Sequence, residues 1–114
     1  MIDFIERCIS NKGKQYYFNS FSWIKNFNYY IDYDKWGEEI VFVEILFGLD
    51  NGELIKLRFI GVFNLKLNIP RNQIVGFDIV DNKNKGWSVD CRYHVEDYEN
   101  GVIDFYCSKI EAIE

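Results

Sequence analysis

The sequence predicts an all-β protein, and three observations carry that prediction. Residues 87–96 alternate strictly, with Trp87, Val89, Cys91, Tyr93 and Val95 set against Ser88, Asp90, Arg92, His94 and Glu96. A period of two is the side-chain repeat of a strand with one face in the core and the other in water. Two Asn-Gly pairs, Asn51-Gly52 and Asn100-Gly101, each separate two strand-like runs. Such pairs are the strongest short hairpin signal, because both residue types tolerate the positive φ of a tight turn. Finally, residues 40–47 are apolar on both faces apart from Glu44, which predicts a central strand covered on both sides.

The elements follow in chain order. In residues 2–10, Ile2, Ile5 and Ile9 fall on one side at helical spacing, flanked by Phe4 and Cys8. This predicts a short amino-terminal helix ended at Asn11-Lys12-Gly13. Everything beyond it has strand character. Residues 39–49 and 53–60 form a hairpin about Asp50-Asn51-Gly52. Residues 62–67 and 74–81 are strands, with Pro70 in their connection or at a sheet edge because it cannot donate to a ladder. The loop 82–86 leads to strand 87–96, and 97–101 turns the chain into strand 102–107. No repeat, low-complexity tract or linker interrupts residues 1–114, so the expectation is one domain. Sequential strands tend to be neighbours. The expected fold is therefore an antiparallel meander of six to seven strands, rolled into a sandwich or open barrel.

Composition excludes several classes. With 48% hydrophobic and 18% aromatic residues among 114, the chain is not intrinsically disordered. No apolar run approaches the roughly 18 residues of a membrane span. The opening Met1-Ile2-Asp3-Phe4-Ile5-Glu6-Arg7 lacks the basic and apolar regions of a signal peptide, so a cytoplasmic location is expected. Cys8, Cys91 and Cys107 show no CxxC spacing and read as reduced thiols.

The net charge of −5 is unevenly placed. Residues 1–31 carry four basic and two acidic side chains, 32–86 carry seven and nine, and 87–114 carry two and seven. An acidic surface repels nucleic-acid phosphates and attracts a basic protein. The expected partner surface lies at the second Asn-Gly turn: Asp97, Tyr98, Glu99 and Asp104, with Glu96 and Asp90 at its rim. Tyr among charges is a common interface anchor.

Aromatic residues concentrate elsewhere. Ten of them fall within residues 15–36, namely Tyr16, Tyr17, Phe18, Phe21, Trp23, Phe27, Tyr29, Tyr30, Tyr33 and Trp36. Most are expected to fill a core. An alternative is a small-ligand or carbohydrate site using Trp23, Tyr29, Tyr30 and Trp36, and a protein- or peptide-binding surface is the better functional version. Catalysis is not expected. His94 is the only histidine, a metal site needs further ligands that do not accompany it at ligand spacing, and a Cys–His pair on opposite faces of one strand cannot meet. No cofactor and no metal are expected.

A resemblance adds to this reading. It rests on Ile74-Val75-Gly76-Phe77-Asp78-Ile79-Val80-Asp81, Gly86-Trp87, Tyr93-His94-Val95-Glu96-Asp97-Tyr98-Glu99-Asn100-Gly101 and Ile103-Asp104-Phe105-Tyr106-Cys107. This stretch resembles small proteins of Bacillus-type bacteria that are similar to the all-β immunity proteins of polymorphic-toxin systems. The resemblance implies a cytosolic inhibitor that occludes a cognate toxin domain. It does not extend to the amino-terminal half and transfers no individual binding residue. The resulting expectation is a non-enzymatic binding protein with a basic protein partner and no membrane or nucleic-acid partner. An exposed strand edge would also support a homodimer.

Overall fold

A computed structural model describes residues 21–68, 73–82, 92–97 and 99–113. The expected helix over 2–10 lies outside the described residues. Within them are eight strands: β1 (Phe21–Tyr33), β2 (Glu39–Leu49), β3 (Leu54–Ile60), β4 (Phe63–Leu67), β5 (Phe77–Asp81), β6 (Tyr93–Asp97), β7 (Ile103–Cys107) and β8 (Lys109–Ile113). They form two four-stranded sheets, ordered β1-β2-β3-β8 and β4-β7-β6-β5, with every ladder antiparallel. The fold is all-β. Among the described residues no helix is long and apolar enough to cross a membrane.

Alternation builds the core. β2 turns Val43, Ile45 and Phe47 inward, all at 0% exposure, and β6 and β7 turn in Tyr93, Val95, Ile103, Phe105 and Cys107. Aromatic rings join the sheets: Phe21 stacks on Phe77 at 5.0 Å, and Phe59 meets Phe105 edge-on at 5.0 Å. On the outer face of β2, Ile40, Phe42, Glu44 and Leu46 are half-buried. Coverage on both faces is thus complete inside and partial outside.

The Asn-Gly hairpins form where expected, by a different turn. Gly52 N–H donates to Leu49 O at 3.0 Å and Leu49 N–H to Glu53 O at 2.9 Å, the pattern of a three-residue loop. Only the glycines take the left-handed conformation, Gly52 at φ 90° and Gly101 at φ 64°. A loop longer than two residues needs one such position, so the asparagines are free for side-chain contacts. Asn51 Oδ1 accepts from Glu53 N–H at 2.9 Å, and Asn100 Nδ2 donates to Gln73 O at 2.9 Å.

The topology departs from a meander at two places. β3 pairs with β8 and β4 with β7, because the chain changes sheet at two adjoining corners. At the first, Gly61 (φ +73°) donates to Val41 O at 2.9 Å. At the second, Ser108 N–H and Oγ both donate to Ile60 O, at 3.0 and 3.1 Å. The closing strand β8, absent from the sequence reading, buries Ile110 and exposes Lys109 and Glu111.

Candidate functional site

The expected acidic surface is only partly assembled. Asp97 is the main correction: it is 1% exposed and faces the core, as the third inward residue of β6 after Tyr93 and Val95. Its Oδ1 accepts the Ile103 N–H at 2.8 Å across the turn. Burial pushes its carboxyl above the ordinary range, only partly opposed by backbone N–H groups led by that of Ile103. It is a structural group. Tyr98 and Asp90 lie outside the described residues. Glu99 is exposed in the turn, while Glu96 and Asp104 are half-buried on the outer face of the second sheet.

On that face the register sets Asp78, Glu96 and Asp104 abreast on β5, β6 and β7, and Val80, His94 and Tyr106 abreast in the next row. His94 Nε2 lies 2.8 Å from Asp104 Oδ1, and Nδ1 lies 3.4 Å from Glu96 Oε2. The imidazole stacks on Tyr106 with centroids 4.4 Å apart and planes at 10°. Sequence spacing concealed this cluster, because Asp104 comes back beside Glu96 only through the second hairpin. The register of the Asn100-Gly101 turn was the signal that could have revealed it. Beside the cluster, Arg92 makes a two-pronged contact with Asp81, at 3.1 and 3.2 Å. Cys107 points into the core, where burial pushes its thiol pKa up, so it cannot serve as a nucleophile for the outward-facing His94.

The proposed ligand-binding aromatics do not converge. Trp23 pairs with Gly48 near one end of β1, and Trp36 stands in the turn beyond the other end. At about 3.3 Å per residue they are on the order of 30 Å or more apart. Tyr29 and Tyr30 are consecutive in a strand and face opposite sides. Tyr30 is engaged, stacked on Phe42 at 5.0 Å and donating to Glu44 Oε2 at 2.7 Å. Lys25 Nζ lies 5.6 Å from the centre of the Trp23 ring. A single pocket formed by these four residues is excluded.

What the aromatics form instead is a stripe on an arm. β3 ends at Ile60, opposite Phe42, and the Gly61 and Val62 N–H groups just beyond it donate to Val41 O, so, among the described residues, 31–40 of the β1–β2 hairpin have no third strand beside them. Tyr29, Ile31 and Tyr33 continue the side of β1 that carries Phe27, a residue packed against the core. From Tyr29 onward that side is uncovered: Tyr29 is 49% exposed, Ile31 45%, Tyr33 62% and Trp36 76%. Leu54 is the only other exposed large hydrophobic among the described residues. Asp32, Asp34, Glu38 and Glu39 surround the stripe, against Lys35 alone. Asp34 Oδ1 fixes the tip by accepting the N–H groups of Trp36 at 2.8 Å and Glu38 at 2.9 Å. Compared with known proteins, the chain matches no family model, no curated protein and no solved structure.

Proposed function

We propose that the chain is a non-enzymatic binding protein whose hairpin arm docks a basic protein partner. One observation carries this reading: the apolar side of β1 runs past the end of the core and stays exposed, fringed by acids. Core-facing side chains without a core are costly to solvate, and large exposed apolar patches mark interaction sites. Tyr and Trp are the side chains that anchor interfaces, with charges left to the rim. The fringe is net −3, counting Asp32, Asp34, Glu38 and Glu39 against Lys35, and a negative rim favours a basic partner and speeds encounter. An immunity-type inhibitor that occludes a basic toxin domain is the specific form of this activity that we favour, and Glu99 and the other carboxy-terminal acids would add steering at longer range.

The test is calorimetric titration of the chain against the basic product of a neighbouring open reading frame. Tyr33→Ala with Trp36→Ala removes two anchors of about 2 kcal/mol each, so binding is expected to weaken by at least 100-fold while the thermal midpoint stays within about 2 °C. Full affinity in the double variant would remove the arm from the interface.

A further inference from the structure

We propose that His94, Glu96 and Asp104 form a binding site for a first-row transition-metal dication of the zinc type. The inference is independent of the arm and of any protein partner. One ligand atom from each residue lies within 4.8 Å of the others. All three residues stand on the outer face of two hydrogen-bonded strands, where the register fixes their spacing: His94 and Glu96 are two apart on β6, and Asp104 is directly opposite Glu96 on β7.

The geometry is close to what an ion needs. Zinc binds imidazole nitrogen and carboxylate oxygen at about 2.0–2.2 Å, which places tetrahedral ligand atoms roughly 3.3–3.5 Å apart. His94 Nε2 and Asp104 Oδ1 are 2.8 Å apart. Opening that pair by about half an ångström brings the two atoms to the spacing of metal ligands. Glu96 Oε2 stands 3.4 Å from Nδ1, the other ring nitrogen, and rotation about its side-chain bonds swings the carboxylate toward the Nε2 edge, within the 4.8 Å that already separates the three ligand atoms. Tyr106, stacked flat on the imidazole, holds its plane while the ion binds.

Charge favours a cation at the same place. Asp78, Glu96 and Asp104 lie abreast on three neighbouring strands, and like charges directly opposite one another destabilise a sheet. Lys66 lies opposite Asp104 on β4, at one end of the row. A dication between Glu96 and Asp104 would relieve the repulsion at its centre. The donor set selects the metal class. One imidazole with two carboxylates suits zinc and its first-row neighbours, whereas calcium takes six to eight oxygens and soft ions take sulfur. The half-buried, open face leaves the fourth position to water.

The experiment uses the untagged full chain, titrated with Co²⁺ and followed by visible absorption, then with Zn²⁺ in competition. The expected result is saturation at one equivalent, displacement of cobalt by zinc, and no thiolate-to-cobalt charge-transfer band. Asp104→Asn keeps a hydrogen-bond acceptor for His94 but removes the anionic ligand, and is expected to weaken binding by tenfold or more. His94→Ala is expected to do the same, with the circular dichroism spectrum of each variant unchanged. Failure of the intact chain to bind cobalt, a sulfur charge-transfer band, or equal affinity in Asp104→Asn and His94→Ala would each overturn the assignment.

Discussion

Replacing Asp97 separates what its shape contributes from what its charge costs. The side chain is 1% exposed, and its Oδ1 receives the Ile103 N–H at 2.8 Å at the point where the chain re-enters β7. Asp97→Ala leaves that N–H without its acceptor and opens a small void. A hydrogen bond to a charged group is worth about 1.5–3 kcal/mol, so a loss of roughly 2–3 kcal/mol is expected. At about 4 °C per kcal/mol for a chain of this size, the melting temperature should fall by about 8–12 °C. Asp97→Asn should behave differently. It retains an acceptor of the same shape and removes a buried charge, whose Oδ2 has no hydrogen-bond partner among the described residues.

The pH dependence fixes the sign. Burial raises the folded-state pKa of Asp97 above its ordinary 3.8. The folded state therefore holds this proton more tightly than the unfolded state. Its contribution to stability is present below 3.8 and is lost as pH rises through the raised value. Asp97→Asn should therefore gain stability relative to the parent as pH climbs from 3.8 toward neutrality, while Asp97→Ala stays below the parent. Thermal melts between pH 3 and 7, monitored by near-ultraviolet circular dichroism, would show both trends. Asp97→Asn as damaging as Asp97→Ala at pH 7 would refute the assignment of a costly buried charge.

Two further perturbations probe other parts of the fold. Glu44 has the opposite sign: the Tyr30 hydroxyl is the leading cause that holds its pKa below the ordinary 4.5, with Arg58 assisting and burial opposing. Its contribution is present above 4.5 and lost as pH falls through the depressed value, so Glu44→Gln should flatten the acid limb of a stability-versus-pH curve measured by urea melts. At the sheet-changing corner, a Cβ on Gly61 would sit 2.6 Å from Ser108 Oγ. Gly61→Ala should cost about 1–2 kcal/mol for the left-handed backbone and about 1 more for the displaced Ser108 hydrogen bond. The second part should vanish when Ser108→Ala is the background in the same chemical melts.

How much the sequence disclosed depended on whether the signal was local. The β2–β3 hairpin was legible to the residue over 39–49, because alternation and the Asp50-Asn51-Gly52 turn lie in one continuous stretch. The pairing of β3 with β8 was not, since it depends on Ile60 and Ser108 meeting from positions 48 apart in the chain. Asp97 was misplaced for a smaller reason. Residues 93 and 95 already set the inward parity, and extending it by one step assigns 97 to the core, but an aspartate beside an Asn-Gly turn reads as solvated. His94, Glu96 and Asp104 were each visible as polar-face residues, yet their meeting required the hairpin register. The aromatic run in 15–36 announced itself in composition, whereas the exposure of its end depends on where β3 stops. That is a fact about the length of a neighbouring strand, and no property of the run encodes it.

The same strand lengths bear on self-association. Among the described residues, β1 is an edge of its sheet, with an isolated bridge from Trp23 to Gln73 near its start. A second copy could add to that edge, as exposed strands invite, and would bring the two aromatic stripes together. It would also bring together two acid fringes of net −3 each. At a separation of 10 Å in water this repulsion is about 4 kcal/mol unscreened, using 332/(εr) for nine unit-charge products. With a Debye length of about 8 Å at physiological salt it falls to roughly 1 kcal/mol. Edge pairing should therefore be suppressed in dilute buffer at neutral pH and should strengthen with salt. Sedimentation velocity at about 20 mM and about 500 mM salt, which span weak and strong screening, should show a monomer at the first and a shift toward dimer at the second, abolished by Tyr33→Ala with Trp36→Ala. A dimer that is stable at low salt and weakens as salt is added would mean that the fringe attracts its own copy, and the acidic rim would no longer argue for a basic partner.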